Sequence, residues 1–347
     1  MFCWCLAPNA PPVSSSVYDC ALSVRLHLLR RLAGSVWARA VVSVGLLAFV
    51  LSQLDYRTLG SRLSSGRWGM FVAAVVVVLV ALVLGGVRWH VFLTVAGIER
   101  ARLEAVRAYL IGAFTTNFLP SQVGGDVTRA WIVSGPGTRT RALSTVLIDR
   151  ATLLGCHVVV GWVVYAIRPG PVPGSLVVAL GAASATLAFV GIGAAALVFG
   201  GSRLGRRLPA RLDGLARSAR DALRECLDGS VLARTTFLGL AFQALILLHV
   251  WLLARSIGIH VALSVLAVAF PPVLILSALP ISIAGFGVRE SGFVLLLGRA
   301  DVSVSDATLF SLMTAGAYAL ATLPGAALLL QRKQTNSAEA MESEERT

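Results

Sequence analysis

The stretch from Asn117 to Arg129 reads NFLPSQVGGDVTR and places a proline, two glycines, an acid and a base between apolar segments of the chain. The hydrocarbon core of a membrane cannot solvate backbone groups that are freed from helical hydrogen bonds. Helix-breaking residues are tolerated at that depth only where surrounding protein or a water-filled cavity satisfies those groups. The stretch therefore predicts a broken membrane helix with a site built around the break.

The composition of the whole chain is typical of a polytopic membrane protein. Of its 347 residues, 56% are hydrophobic and only 14% are charged, and the mean hydropathy is +0.80. The net charge of +13 comes mostly from arginines between apolar runs, which positive-inside topology explains without a nucleic-acid partner. The five cysteines have neither CxxC spacing nor an even number, so no disulfide framework, metal site or cofactor is predicted.

Apolar runs predict an all-α polytopic membrane fold with about six full transmembrane helices and two re-entrant helical hairpins. The full spans are predicted at residues 40–54, 70–87, 143–167, 176–199, 235–253 and 307–330. The first hairpin is predicted from the short apolar pieces at 108–118 and 123–133. The second is predicted from a piece at 261–279 and another at 293–297, with the first piece interrupted by Pro271 and Pro272.

The two broken stretches match each other in spacing. Pro120 and Pro280 are each followed by two glycines and, nine positions after the proline, by an arginine, Arg129 or Arg289. Each stretch has two predicted full spans before it and one after it. Because three spans is an odd number, the second half is predicted to be inverted relative to the first, as in many secondary transporters.

Charge and composition divide the chain further. We predict a disordered or weakly ordered leader at residues 1–35 and a membrane domain at residues 36–331. The membrane domain has two halves, 36–168 and 175–331, and a basic amphipathic segment at 202–234. A polar tail follows at residues 332–347. Under the positive-inside rule both termini and the basic segment are cytoplasmic. That segment fits either a helix lying on anionic headgroups or a packed connector.

Three segments resemble a known family: NFLPSQVGGDVTRAW, the IDR at residues 148–150, and LPISIAGFGVRE. They are similar to the signature segments of the lysylphosphatidylglycerol synthase transmembrane region, a flippase-like family of bacterial and archaeal membrane proteins. The resemblance covers about residues 40–330 and is most specific in the GxGxRE element. It implies an inner-membrane domain that moves polar lipids or lipid-linked molecules between leaflets. The full synthases add a cytosolic aminoacyl-transferase domain that this chain lacks, so we expect translocation without aminoacylation.

Charged side chains inside a bilayer are costly, so those of the broken stretches are predicted to face partners or water. The functional hypothesis is that Arg129, Arg150 and Arg289 bind a phosphate headgroup near the midplane, helped by helix N-termini that follow Gly125 and Gly287. The predicted substrate-binding residues, none of them catalytic, are Asn117, Pro120, Gly124, Gly125, Asp126, Arg129, Asp149, Arg150, Pro280, Gly285, Gly287, Arg289 and Glu290.

Structural roles for the same residues are the alternative. Asp126 with Arg150, or Arg129 with Asp149, would then form ion pairs that join hairpins to spans. Asn117 would cap or bridge a broken helix end, and the glycines would serve turns with positive φ or close backbone approach.

The predicted function is translocation of a lipid or lipid-linked headgroup by a non-enzymatic protein of the plasma (inner) membrane. Its partners would be membrane lipids, anionic or polyprenyl-phosphate-linked, and self-association into a homo-oligomer is left open. One alternative is a membrane enzyme acting on lipid phosphates, with Asp126, Asp149 or Glu290 as base or metal ligand. Another is a scaffold whose arginine-rich loop, at residues 203–224, recruits a partner.

Overall fold

The computed structural model describes residues 66–119, 122–167, 172–199, 217, 220–278 and 287–345. Within these ranges every regular element is helical, which confirms the all-α fold class. In chain order the α-helices are α1 (Trp68–Val95), α2 (Arg102–Thr116), α3 (Gln122–Val133), α4 (Arg139–Ile167), α5 (Gly174–Phe199), α6 (Gly229–Ser256), α7 (Leu263–Ala278), α8 (Val288–Leu297) and α9 (Val304–Glu345). A 3-10 turn at Gly298–Ala300 follows α8.

Five helices, α1, α4, α5, α6 and α9, have the length and hydropathy to cross a membrane. They correspond to the predicted spans at 70–87, 143–167, 176–199, 235–253 and 307–330, so the chain is a multi-pass membrane protein. The predicted span at 40–54 and the leader lie outside the described residues. The last helix continues beyond its predicted end, through most of the polar tail, to Glu345.

The first broken stretch forms a hairpin of two packed helices, α2 and α3. A Cβ added to Gly125 would lie 1.9 Å from Thr116 Oγ1 and 2.2 Å from the Gly112 carbonyl oxygen. A Cβ added to Gly112 would lie 3.0 Å from Arg129 Cβ. Contacts therefore move back along α2 as they advance along α3, and the two helices are antiparallel. The absence of a side chain at Gly125 allows their backbones to approach this closely.

The predicted place of the paired glycines is corrected by this hairpin. Helix α3 begins at Gln122, so Gly124 and Gly125 lie inside the helix and do not precede its N-terminus. Neither has a positive φ, whereas Gly287 does, at 82°. Close packing, and not a left-handed turn, is the physical reason for Gly125.

The second broken stretch also forms an antiparallel pair, α7 and α8. The rings of Phe270 and Phe293 have centroids 5.8 Å apart, and a Cβ added to Gly292 would lie 3.4 Å from Val273 Cγ2. Residues 279–286, which join the two helices, are outside the described residues.

The predicted interruption at Pro271 and Pro272 is wrong, because α7 runs through both prolines. A proline inside a helix leaves the carbonyl four residues earlier without its helical N–H partner. For Pro271 that carbonyl belongs to Ala267, and a Cβ added to Gly161 of α4 would lie 3.1 Å from its oxygen. The Ala267 carbonyl therefore lies against α4 and is not exposed to lipid.

The main apolar core unites α1, α6, α7, α8 and α9 and includes Val78, Leu253, Leu266 and Phe310. Helices α1 and α6 pack along each other at the centre. Helix α9 packs on α1, α2 and α8. Helix α4 packs on α3, α6 and α7.

The ends of the first hairpin lie at one end of the bundle. Arg100, which precedes α2, donates through Nε to the Val133 carbonyl at 2.9 Å, and Arg332 donates to the Ile132 carbonyl at 3.3 Å. Arg141 pairs there with Glu225 at 3.0 Å. We call this end the arginine-rich end.

The ends of the second hairpin lie at the opposite end of the bundle. There the Arg67 N–H donates to the Ser256 carbonyl at 2.9 Å, and Met313 lines a small pocket with Arg67 and Ile257. Helix α7 begins shortly after Ser256, and α9 begins shortly after α8 ends. The start of α2 and the end of α3 therefore lie towards the arginine-rich end, and the start of α7 and the end of α8 lie towards the opposite end.

A helical segment at 220–226 connects to α6 at the arginine-rich end. Its Cys226 is fully buried beside Phe92, and this burial raises the pKa of the thiol to about 12. Asp228 begins α6 by accepting the Ser230 N–H at 2.9 Å, and hydrogen bonds from Ser230 lower the pKa of its carboxyl. This part of the predicted basic segment is a packed connector.

Gly125→Ala tests the close approach within the first hairpin. The added methyl would overlap the Gly112 carbonyl, so we expect the free energy of unfolding to fall by about 1–3 kcal/mol. Titration of the purified protein from mild detergent into dodecyl sulfate would measure this change. Gly181→Ala in α5 is the matched control, since nothing lies within 4 Å of its added Cβ. An equal loss in both variants would contradict the packing argument.

Candidate functional site

Arg88 of α1 is the innermost member of a buried charged cluster, with only 1% of its surface exposed. Its Nε donates to the Thr235 carbonyl of α6 at 2.9 Å, and its Nη1 donates to the Asp149 carbonyl of α4 at 3.1 Å. The same guanidinium pairs with the Asp149 carboxylate and donates to the Thr152 hydroxyl. One side chain therefore joins three membrane-spanning helices.

Arg129 of α3 shares the Asp149 carboxylate with Arg88. Its Nη2 donates to Asp149 Oδ2 at 3.0 Å, and its guanidinium lies between the rings of Trp89 and Tyr109, at 4.7 and 4.6 Å from their centroids. Such cation–π contacts are strongest where water is excluded, and Arg129 is only 3% exposed. Its Nη1 is buried without a hydrogen-bond partner among the described residues.

Asp126 continues the cluster towards the surface of the bundle. Its Oδ1 accepts from Arg129 Nε at 3.1 Å and its Oδ2 accepts from Arg150 Nε at 2.8 Å. The side chain of Arg150 is 43% exposed, against 14% for Asp126. Both ion pairs proposed from the sequence, Asp126 with Arg150 and Arg129 with Asp149, are therefore confirmed.

Helical geometry explains why these neighbours divide their roles. Asp126 and Arg129 are three residues apart on α3 and so lie on one face. Asp149 and Arg150 are adjacent on α4 and point in different directions, one into the bundle and the other towards Asp126. The resulting order is Arg88, Asp149, Arg129, Asp126 and Arg150, which we call the charge chain. Three arginines against two aspartates give it a formal net charge of +1.

The charge chain lies nearer to the arginine-rich end of the helices than to their middle. At a rise of 1.5 Å per residue, Asp149 is about 15 Å from the start of α4, and Arg88 is about 10 Å from the end of α1. Helix α1 is about 42 Å long by the same measure.

The second hairpin contributes an arginine held by an adjacent acid. Glu290 is fully buried; its Oε2 accepts the Gly287 N–H at 2.6 Å, and its Oε1 accepts from Arg289 Nη2 at 2.7 Å. Gly287 has a φ of 82° and immediately precedes α8, as the sequence predicts for a helix start that needs glycine. Glu290 therefore caps α8 and orients Arg289.

Helix α9 connects the two hairpins. Its Tyr318 interacts electrostatically with Arg150 and with Arg289. One turn further along, the Thr322 hydroxyl accepts from Asn117 Nδ2 at 2.9 Å. Asn117 is the C-cap of α2, so this hydrogen bond joins the end of that helix to α9.

Some predicted residues fall outside this description, and some important ones were not predicted. Pro120, Pro280 and Gly285 lie outside the described residues. The span predicted at residues 70–87 ends just before Arg88, whereas the helix and its apolar residues continue for about two turns after Arg88, to Val95. Two features of the sequence indicate that Arg88 is buried: this apolar continuation, and an aspartate in α4 that needs a charged partner.

Comparison with known proteins adds one finding. A family described as the lysylphosphatidylglycerol synthase TM region matches residues 36–325. Comparisons with curated proteins and with solved structures give no match.

Asp149→Asn tests the shared carboxylate of the charge chain. Arg88 and Arg129 would lose their common counter-ion while remaining buried, so we expect the free energy of unfolding to fall by about 3–5 kcal/mol. The same dodecyl sulfate titration measures it. Asp301→Asn, an exposed substitution at a φ of 61° that asparagine also tolerates, should change it by less than about 0.5 kcal/mol. Equal stabilities for the two variants would refute the role of Asp149.

Proposed function

The chain belongs to the lysylphosphatidylglycerol synthase TM region family, and from that premise we propose that it translocates the anionic headgroup of a membrane lipid or lipid-linked molecule across the inner membrane. The observation that carries the proposal is the charge chain, which runs from a fully buried arginine to a half-exposed one inside an apolar helical bundle.

Ionisable groups at membrane depth are costly and mark pathways for polar substrates in many membrane proteins. Most donors of Arg88 are used within the protein, so this residue supports the site. Arg150 differs, because only its Nε donates to a described residue and its side chain is accessible. The planar guanidinium presents paired donors that match phosphate oxygens, and the net charge of +1 favours an anion.

We further propose that the two halves form an inverted repeat with two re-entrant hairpins. The hairpins begin and end at different ends of the bundle, as inversion requires. The packing of α2 on α9 has its counterpart in α7 on α4, and α1 on α9 has its counterpart in α6 on α4. Helices α1 and α6 would lie on the pseudo-twofold axis, and the arginine-rich end would face the cytoplasm.

This arrangement suggests how the headgroup moves. Arg150 would receive it from the arginine-rich side, and Arg289, on the hairpin from the other side, would receive it next. Tyr318 lies within electrostatic range of both arginines and would line the path between them. Small movements of the hairpins against α9 would then expose the site to one leaflet at a time.

Translocation fits the acidic residues better than catalysis does. Asp126 and Asp149 each accept from two arginines, and Glu290 accepts from Arg289 and a backbone N–H. Groups engaged in this way have few lone pairs left for a metal ion or for a substrate proton. The scaffold alternative rests on residues 203–224, most of which lie outside the described ranges.

Arg150→Gln and Arg289→Gln test the proposed path in proteoliposomes that contain fluorescent phosphatidylglycerol. Loss of a charged hydrogen bond to phosphate should slow exchange between leaflets by about 10- to 100-fold in each variant. Dithionite quenching of the outer leaflet measures the rate. Arg299→Gln, in the exposed 3-10 turn, is the matched control and should exchange lipid at the wild-type rate. Wild-type rates in the first two variants would overturn the proposed path.

A further inference from the structure

Asp126 occupies a place that an anionic ligand would also occupy. Its two carboxylate oxygens accept separately, one from Arg129 Nε at 3.1 Å and the other from Arg150 Nε at 2.8 Å. A phosphodiester resembles a carboxylate here, because it too offers two oxygens that share one negative charge. The same two donors are therefore complementary to either anion.

The two aspartates of the charge chain differ in accessibility. Asp149 is 1% exposed and is held by Arg88 as well as Arg129, so no ligand can reach it without opening the bundle. Asp126 is 14% exposed and borders the accessible Arg150. Tyr318 lies within electrostatic range of Asp126, and its hydroxyl is a donor that a displaced carboxylate could use.

We propose that Asp126 is an exchangeable counter-ion that the incoming anionic headgroup displaces from Arg129 and Arg150 and that returns when the headgroup leaves. This inference rests on the proposed function. Asp126 then determines specificity, because a neutral headgroup has no charge with which to compete against the carboxylate. It also promotes release, because its return restores an acceptor to the Nε of Arg129 and to the Nε of Arg150 in a medium of low dielectric constant.

The exchange predicts opposite effects on binding and on turnover. Without the carboxylate at residue 126, no negative charge competes with the phosphodiester or neutralises Arg129 and Arg150. The phosphodiester should therefore bind more tightly. Release should become slower, because nothing takes the place of the departing anion. A carboxylate that merely positioned Arg129 and Arg150 would give the reverse result, since its loss would weaken binding.

The test is Asp126→Asn in the full chain, purified in an uncharged detergent. Dihexanoylphosphatidylglycerol is titrated calorimetrically as the anionic probe, and dihexanoylglycerol, which lacks the phosphate, is the neutral one. We expect the dissociation constant for the anionic probe to fall about tenfold and the exchange rate in proteoliposomes to fall by a similar factor. Asp301→Asn removes the same charge from an exposed loop and should change neither quantity.

The outcomes distinguish a failure of the counter-ion exchange from a failure of the proposed function. Wild-type protein that binds the probe, together with an Asp126→Asn variant that binds it equally or more weakly, overturns the exchange and leaves the proposed function intact. Wild-type protein that neither binds nor exchanges the anionic lipid overturns both. If the Asp126→Asn variant does not purify as a single species, Asp126→Ser takes its place. The same direction of change in the dissociation constant for the anionic probe is then expected.

Discussion

The sharing of one carboxylate by two buried arginines is the constraint on which the rest of the structure depends. Removing Asp149 from water is unfavourable, and only charged partners with good geometry offset that cost. Arg88 and Arg129 supply them from α1 and α3, and Arg88 also binds the Thr235 carbonyl of α6. Because none of these partners can move independently, four helices are fixed in relation to one another around one acid.

Fixing Asp149 also fixes what lies further out. Asp149 accepts from Nη2 of Arg129, and the rings of Trp89 and Tyr109 lie against its guanidinium. These contacts orient Arg129 so that its Nε points to Asp126. Close packing of α2 on α3 keeps that part of the hairpin in place. The accessible Asp126 and Arg150 are thus positioned by a rigid part of the bundle, as the proposed anion site requires.

Several of these features could be predicted from the sequence and others could not. The five described spans and both ion pairs followed from hydropathy and the cost of buried charge. The role of Arg88 did not, because positive-inside reasoning assigns an arginine at the end of an apolar run to the loop. The continuity of α7 through Pro271 and Pro272 did not follow either, because a proline pair predicts a break from the local pattern, whereas the packing of α4 beside Ala267 is a tertiary contact.

In the proposed repeat, the two halves hold their corresponding helix pairs by different interactions. With the offset of 160 positions that relates Pro120 to Pro280, the places of Asp149 and Arg150 are taken by Leu309 and Phe310. Phe310 packs edge-on against Phe293 of α8 at 5.3 Å, so apolar contact replaces the ion pairs there. Arg289 forms an ion pair with its sequence neighbour Glu290. On the proposed path, an anion would meet arginines held by several helices in the first half and an arginine paired with its sequence neighbour in the second.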